Sequence, residues 1–175
     1  QKQRIKHPSL EFQIDSALLE PKIQDKELGI EISPPAGWEK SDSTFSNSGT
    51  LKELRAIEML VGNPKHFFQH NQTNSLCILS KFATNSVKNT ENLILRSKSG
   101  LEKQFPSAKI STATFLKDKI LVHQIMLLSP EYVIIKLICE LDRLKVFEVV
   151  YILPKHAYAD QLRAIESSIG SILGL

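Results

Sequence analysis

The sequence predicts an α+β fold: an antiparallel β-sheet of five to six strands, covered by helices in an α/β/α sandwich. The first observation is the stretch from Lys119 to Pro154, where three β-rich runs are separated by two short turns, the pattern of a meander. On the middle run, apolar residues fall on both faces, with Val133, Ile135, Leu137 and Cys139 on one and Ile134 and Ile138 on the other, which favours a sheet covered on both sides. The cover is predicted by an apolar stripe with helical spacing, which indicates a helix from Lys155 to Leu173. Its residues are Tyr158, Leu162, Ile165, Ile169 and Ile172.

Further elements are predicted upstream of the meander. Alternating apolar residues indicate strands, and apolar residues three and four apart indicate helices. Residues 1–27 are expected to form an N-terminal arm or linker, and residues 28–175 a single sandwich domain. The predicted elements are a strand at 28–33, a helix at 51–61 with a strand at 55–61 as the alternative, a strand at 76–82, a helix from 91 to about 104 and a strand at 109–116.

Composition excludes several classes of partner. The formal net charge is only +3, and the basic residues form no block, so no nucleic-acid partner is expected. No apolar run approaches the length of a membrane span. The chain opens on the polar residues Gln1 to Arg4 instead of Met, which we interpret as the trace of a removed leader or lipid anchor. An extracytoplasmic location, periplasmic or membrane-anchored, is therefore expected.

The two cysteines, Cys77 and Cys139, lie in apolar, strand-like surroundings. Two buried free thiols are the expectation, and a disulfide between two strands is the alternative. Their spacing matches no metal-binding motif.

The order of elements resembles that of the PsbP-like superfamily, over about residues 28–173. A strand runs into Pro35-Ala36-Gly37-Trp38, a helix is followed by Phe-Pro-Ser-Ala-Lys-Ile at 105–110, and the last strand enters a helix ending Ser-Ser-Ile-Gly-Ser-Ile at 167–172. The superfamily includes the photosystem II extrinsic protein, Ran-binding Mog-type proteins and small exported bacterial proteins. The resemblance implies an α/β/α sandwich that acts as a binding or assembly module and not as an enzyme.

Histidines are the first candidates for chemistry. His66 and His70 are four apart, a spacing compatible with two metal ligands on a helix, but no glutamate lies between them as in a zincin. A solvated surface turn is the preferred interpretation, and no metal, cofactor or catalytic residue is assigned. His123, Lys136 and Glu148 interrupt otherwise apolar strands, and His123 is interpreted as a histidine satisfied within the sheet.

Aromatic residues form the predicted binding surface. Trp38, the only tryptophan, is expected to anchor one end of the core. Phe67 and Phe68 lie in a polar segment, where they form either an exposed apolar patch or a plug beneath the sheet. The candidate binding residues are Trp38, Phe67, Phe68 and His70.

The leading functional hypothesis is a non-catalytic, exported or membrane-tethered module that binds a protein partner. One alternative is a small-molecule or lipid carrier, with a pocket between the sheet and the last helix at Leu162, Ile165 and Ile169. The other is an uncharacterised, hydrolase-like enzyme centred on His123 or Cys139.

Overall fold

The computed structural model describes residues 6–41, 63–81, 90–142 and 145–175. In these ranges the fold is α+β, with a seven-stranded and a three-stranded antiparallel sheet and two α-helices. The predicted helix at 51–61 and the end of the strand predicted at 76–82 lie outside the described residues. The strands are β1 (Ile23–Asp25), β2 (Ile30–Ile32), β3 (Trp38–Lys40), β4 (Asn63–His70), β5 (Ser75–Lys81), β6 (Lys109–Lys117), β7 (Ile120–Leu128), β8 (Tyr132–Asp142), β9 (Lys145–Pro154) and β10 (Leu173–Gly174), and the helices are α1 (Thr90–Gln104) and α2 (Lys155–Gly170).

The meander predicted from the sequence forms the middle of the larger sheet. The strand order is β3-β4-β5-β9-β8-β7-β6, so β6 to β9 pair in sequence and β9 then pairs with β5. The sheet has seven strands instead of five or six because β3 and β4 also join it. This order places β5 directly beside β9, although about 65 residues separate the two strands along the chain.

Both faces of the larger sheet are covered, which confirms the sandwich. On one face, Tyr151, Leu137 and Val149 pack with Ile165 of α2 and with the three-stranded sheet in one core cluster. On the other face, α1 contributes Leu101 to a second cluster. Side chains alternate along each strand, so β8 and β9 supply both clusters.

Helix α2 ends earlier than the predicted residue 173. The Ser171 N–H donates to the carbonyl of Ser167, and the Ser171 hydroxyl donates to the Ser168 carbonyl at 2.6 Å, which satisfies free carbonyls at the helix end. The chain then extends into β10, which pairs with β2. In the three-stranded sheet β2 is the central strand, with β1 on one side and β10 on the other. Backbone pairing to β2 therefore replaces the last turn expected from the apolar stripe.

The N-terminal arm lies against the body. Ser9 bridges Leu116 of β6 in parallel, and the Phe12 ring lies 5.9 Å from that of Phe115. The arm also crosses Gly170 of α2, where a Cβ would lie 2.7 Å from the Phe12 Cβ. At its end, β1 pairs with β2, so part of the predicted arm belongs to a sheet.

Both cysteines are free and buried, as expected. Burial raises the pKa of each thiol well above its ordinary value, because a thiolate would lose its hydration. Neither is an activated nucleophile.

Candidate functional site

The aromatic residues predicted to bind a partner lie on β3 and β4. Trp38 and Phe68 are 0% and 3% exposed, and the Trp38 indole N–H donates to Gln161 Oε1 of α2 at 2.9 Å. This places Trp38 as the core anchor that the sequence predicted. His70 is the register partner of Trp38, and it remains half-buried at the surface with Nδ1 2.7 Å from Thr73 Oγ1.

The segment around Phe67 and Phe68 is a strand and not the polar loop inferred from the sequence. Phe67 pairs with Ile78 and Phe68 with Cys77, so the two rings point to opposite faces. Phe67 is half-buried and packs against the cluster under α1. The structure therefore does not gather the four candidate residues into one exposed patch, because two are interior and Phe67 lies on the other face.

His66 belongs to an ion-pair network that fastens β1 to β4. Its Nε2 lies 2.7 Å from Asp25 Oδ2, and Lys65 Nζ lies 3.0 Å from the same oxygen. Burial disfavours the charged form of Asp25, but hydrogen bonds from the Leu28 N–H, His66 and Lys65 outweigh burial, so its pKa lies well below its ordinary value. Glu27 extends the network to Lys81 at 2.7 Å.

His66 and His70 have separate partners and do not form a pair. In the ranges that the structure describes, no group of three or more histidine, cysteine or acidic side chains could hold a metal ion.

A row of four polar residues and one isoleucine, buried or half-buried, crosses the sheet face under α1. Register places Thr114, His123, Ile138, Glu148 and Ser80 side by side on five adjacent strands. The polar members of the row are separated along the chain by tens of residues or by a turn, so the sequence does not show that they are neighbours. From the sequence, only His123, Lys136 and Glu148 were noted, as polar residues in apolar strands. The sequence signal for these residues was a polar side chain at a strand position where the neighbouring residues are apolar.

His123, a member of this row, lies beside the carboxylate of Glu140, which is outside the row. Its Nδ1 is 3.2 Å from Thr114 Oγ1, and its Nε2 is 3.6 Å from Glu140 Oε2. The His123 ring holds the pKa of Glu140 below its ordinary value, against the opposing effect of burial. The register partner of His123 is Ile138, so the two side chains share a face. Cys139 follows Ile138 on the strand and therefore points to the other face. The cysteine–histidine pair of the enzyme alternative is therefore not formed.

Glu148, a member of the row, forms a buried ion pair with Lys136. Their charged atoms are 3.0 Å apart, and the side chains are 4% and 0% exposed. A charge this deeply buried is tolerated only when it is paired. We assign the pair a structural role in the sheet.

The interface proposed for a carrier pocket is filled. Ile165 and Ile169 of α2 are 0% and 4% exposed and pack within the first core cluster. These two side chains therefore pack against the sheet, while Leu162 is half-buried.

Strand β6 forms one edge of the seven-stranded sheet. Leu116 turns its backbone outward to the arm: its N–H donates to Pro8 at 2.8 Å and its carbonyl accepts from Leu10 at 2.9 Å. The pairing of β6 with β7 has no register shift, so by alternation Ile110, Thr112 and Thr114 also direct their N–H and C=O groups outward. We call these three residues the open edge, since within the described ranges no strand pairs with them on that side.

No protein-family model and no curated protein matches this chain. Among solved structures, one match is the crystal structure of the Ran-binding protein Mog1p of Saccharomyces cerevisiae. The two chains are 11% identical, the match covers 88% of this chain and 94% of the other, and the TM-score is 0.49. Mog1p is of the Mog type named in the resemblance, but likeness at this level does not transfer Ran binding.

The comparison corrects the predicted location. We expected an extracytoplasmic protein, but the matched structure is that of a Ran-binding protein. The predictions of export, of a lipoprotein and of a lipid anchor depended on the residue type at the start of the sequence, and none of the comparisons supports them. None of the helices in the described part of the chain is long and apolar enough to cross a membrane.

Proposed function

We propose that this protein is a non-catalytic protein-binding module, and that the open edge of β6 accepts an extended segment of its partner. The observation that carries the proposal is the row of outward backbone groups at Ile110, Thr112 and Thr114. Strand addition at a sheet edge draws its affinity from such main-chain groups.

The composition of β6 supports this use of the edge. Proteins usually protect a sheet edge with prolines, inward charges or a bulge. Residues 110–114 read Ile-Ser-Thr-Ala-Thr, without proline or charge, and Ser111, Thr112 and Ala113 are exposed. Small and β-branched side chains leave the backbone accessible to another strand.

The arm shows how a chain sits on this edge. Its residues Pro8 and Leu10 make two backbone hydrogen bonds to Leu116, and the bridge is parallel. The same strand therefore already receives an extended chain at one end, next to the open edge.

The test uses a library of extended ten-residue peptides selected on the whole protein. Peptides that bind at the edge should protect the amide hydrogens of Ile110, Thr112 and Thr114 from exchange. Thr112→Pro removes an outward N–H and should abolish binding, whereas Thr112→Ala keeps the backbone and should bind as the parent does. Thermal unfolding of both variants checks that they are folded. Equal binding by the folded Thr112→Pro variant, or protection confined to other residues, would refute the proposal.

A further inference from the structure

A pocket lies at one end of the larger sheet, away from the open edge. It is enclosed by the turn between β6 and β7, the end of β8, the start of β9 and the residues of β10. Its volume is about 550 Å³, within the range of small-molecule sites. We call it the end pocket, and its main side chains are Lys119, Ile120, Leu141, Lys145, Leu173 and Leu175.

The lining of the end pocket combines alkyl side chains with charged ones. Ile120 is buried and Leu141 is half-buried, while Leu173 and Leu175 are 42% and 60% exposed. Covering these side chains with an apolar ligand would remove their surface from water, which is favourable in proportion to the area covered.

Two glycines shape the pocket. Gly29 has a φ of +73°, which favours glycine, and a Cβ there would lie 3.4 Å from Lys145 Nζ. A Cβ on Gly174 would lie 3.3 Å from a methyl group of Leu141. Because neither glycine has a side chain, the Lys145 ammonium group lies close to the backbone at Gly29, and the Leu141 side chain lies close to the backbone at Gly174.

The charges at the rim favour an anion. Asp118 is already paired with Lys117 at 2.8 Å, and the Lys117 ammonium also donates to the carbonyl of Ile172. Asp142 also lines the pocket and is the register partner of Lys145, and it has an interaction of its own. Lys119 and Lys145 make no ion pair with the residues that the structure describes, so two ammonium groups remain for a ligand.

From this geometry we infer that the end pocket binds a small monocarboxylate with an apolar chain, such as a medium-chain fatty acid. The carboxylate meets the ammonium groups of Lys119 and Lys145, and the chain lies along Leu141, Leu173 and Leu175. The free carboxyl end of a peptide is less suitable, because its backbone amides need hydrogen-bond partners that the leucines along the chain-binding part of the lining do not supply.

The inference does not depend on strand addition at β6 and is tested separately. Decanoate and decan-1-ol are titrated into the whole protein while the amide NMR signals of Gly29 and Gly174 are followed. Decanoate should bind more tightly than decan-1-ol and shift both glycine signals. Lys119→Gln and Lys145→Gln should each weaken decanoate by up to about fivefold, the effect of one partly exposed ion pair, and leave decan-1-ol unchanged.

Two controls locate the effect. Lys109→Gln removes an exposed lysine at the other end of β6 and should not change either affinity. Leu141→Ser should weaken both ligands, because it removes alkyl surface and no charge. Equal affinity for acid and alcohol, unchanged decanoate binding in both glutamine variants, shifts confined to other residues, or tighter binding of N-acetyl-leucyl-leucine than of decanoate would each overturn the inference.

Discussion

The ion pair between Lys136 and Glu148 gives the sharpest test of how this sheet is stabilised. Both groups are almost completely buried at a separation of 3.0 Å. Removing one partner leaves the other charge buried and poorly compensated, which typically costs about 3–5 kcal/mol. We therefore expect Lys136→Met to lower the free energy of unfolding by about this amount, a large part of the roughly 5–15 kcal/mol of a typical domain.

The double variant distinguishes a buried charge from a packing defect. Lys136→Met combined with Glu148→Leu removes both charges while keeping similar volume, and replacement of a buried pair in this way is often neutral or stabilising. We expect the double variant to unfold within about 1 kcal/mol of the parent, far from the sum of the two single losses.

The assay is equilibrium unfolding in urea, followed by the fluorescence of Trp38, the only tryptophan. Lys109→Met, at an exposed position of β6, is the control and should change stability by less than about 0.5 kcal/mol. If the losses of the two single variants simply add in the double variant, or if Lys136→Met costs less than about 1 kcal/mol, the pair does not have the role assigned to it.

Three further predictions concern other parts of the fold. The folded-state pKa of Asp25 is lowered, so its contribution to stability, about 2 kcal/mol, is present above its unfolded pKa near 4 and is lost as the pH falls below that value. The free energy of unfolding, measured from pH 7 to pH 2, should therefore fall less steeply for Asp25→Asn than for the parent. Equal slopes would contradict this. A Cβ at Gly170 would lie 2.7 Å from Phe12, so Gly170→Ala should displace the arm and speed its cleavage in limited proteolysis, whereas unchanged cleavage would show that the arm accommodates the methyl group. The buried thiols of Cys77 and Cys139 should react with a disulfide reagent only on unfolding; rapid labelling of the native protein, with urea-unfolded protein as the control, would contradict their burial.

Long elements with a regular pattern were predictable from the sequence. The meander from β7 to β9 and the helix α2 follow directly from apolar periodicity, and the apolar residues on both faces of β8 required the two covers that the structure shows. These patterns are local, so they do not depend on which strands pair.

Strand β4 could not be recognised in the same way. Its residues Lys65, His66, Gln69 and His70 are polar, because part of its surface is used by the ion-pair network with Asp25 and not by apolar packing. The strands β1, β3 and β10 have two or three residues each, which is too short for any periodicity to appear.

The residues of the candidate sites depend on pairing across the sheet. Ser80 and Glu148 are neighbours through the β5–β9 register, and the end pocket joins Gly29 to residues 118–120, 141, 142, 145 and 173–175. Sequence spacing contains no trace of such proximity. Burial of Trp38 was predictable from its residue type, whereas the opposite directions of Phe67 and Phe68 required the strand to be known.

The pairing of β5 with β9 also has a consequence for synthesis of the chain. Strand β5 has β4 on one side, but its other side pairs only with residues 147–152. A nascent chain that has been translated only through β5 cannot complete this apolar strand, whose residues Leu76 to Ser80 are all buried in the finished fold. Folding of the first half must therefore wait until the ribosome has released the second, and a fragment ending after β5 is expected to aggregate through that strand.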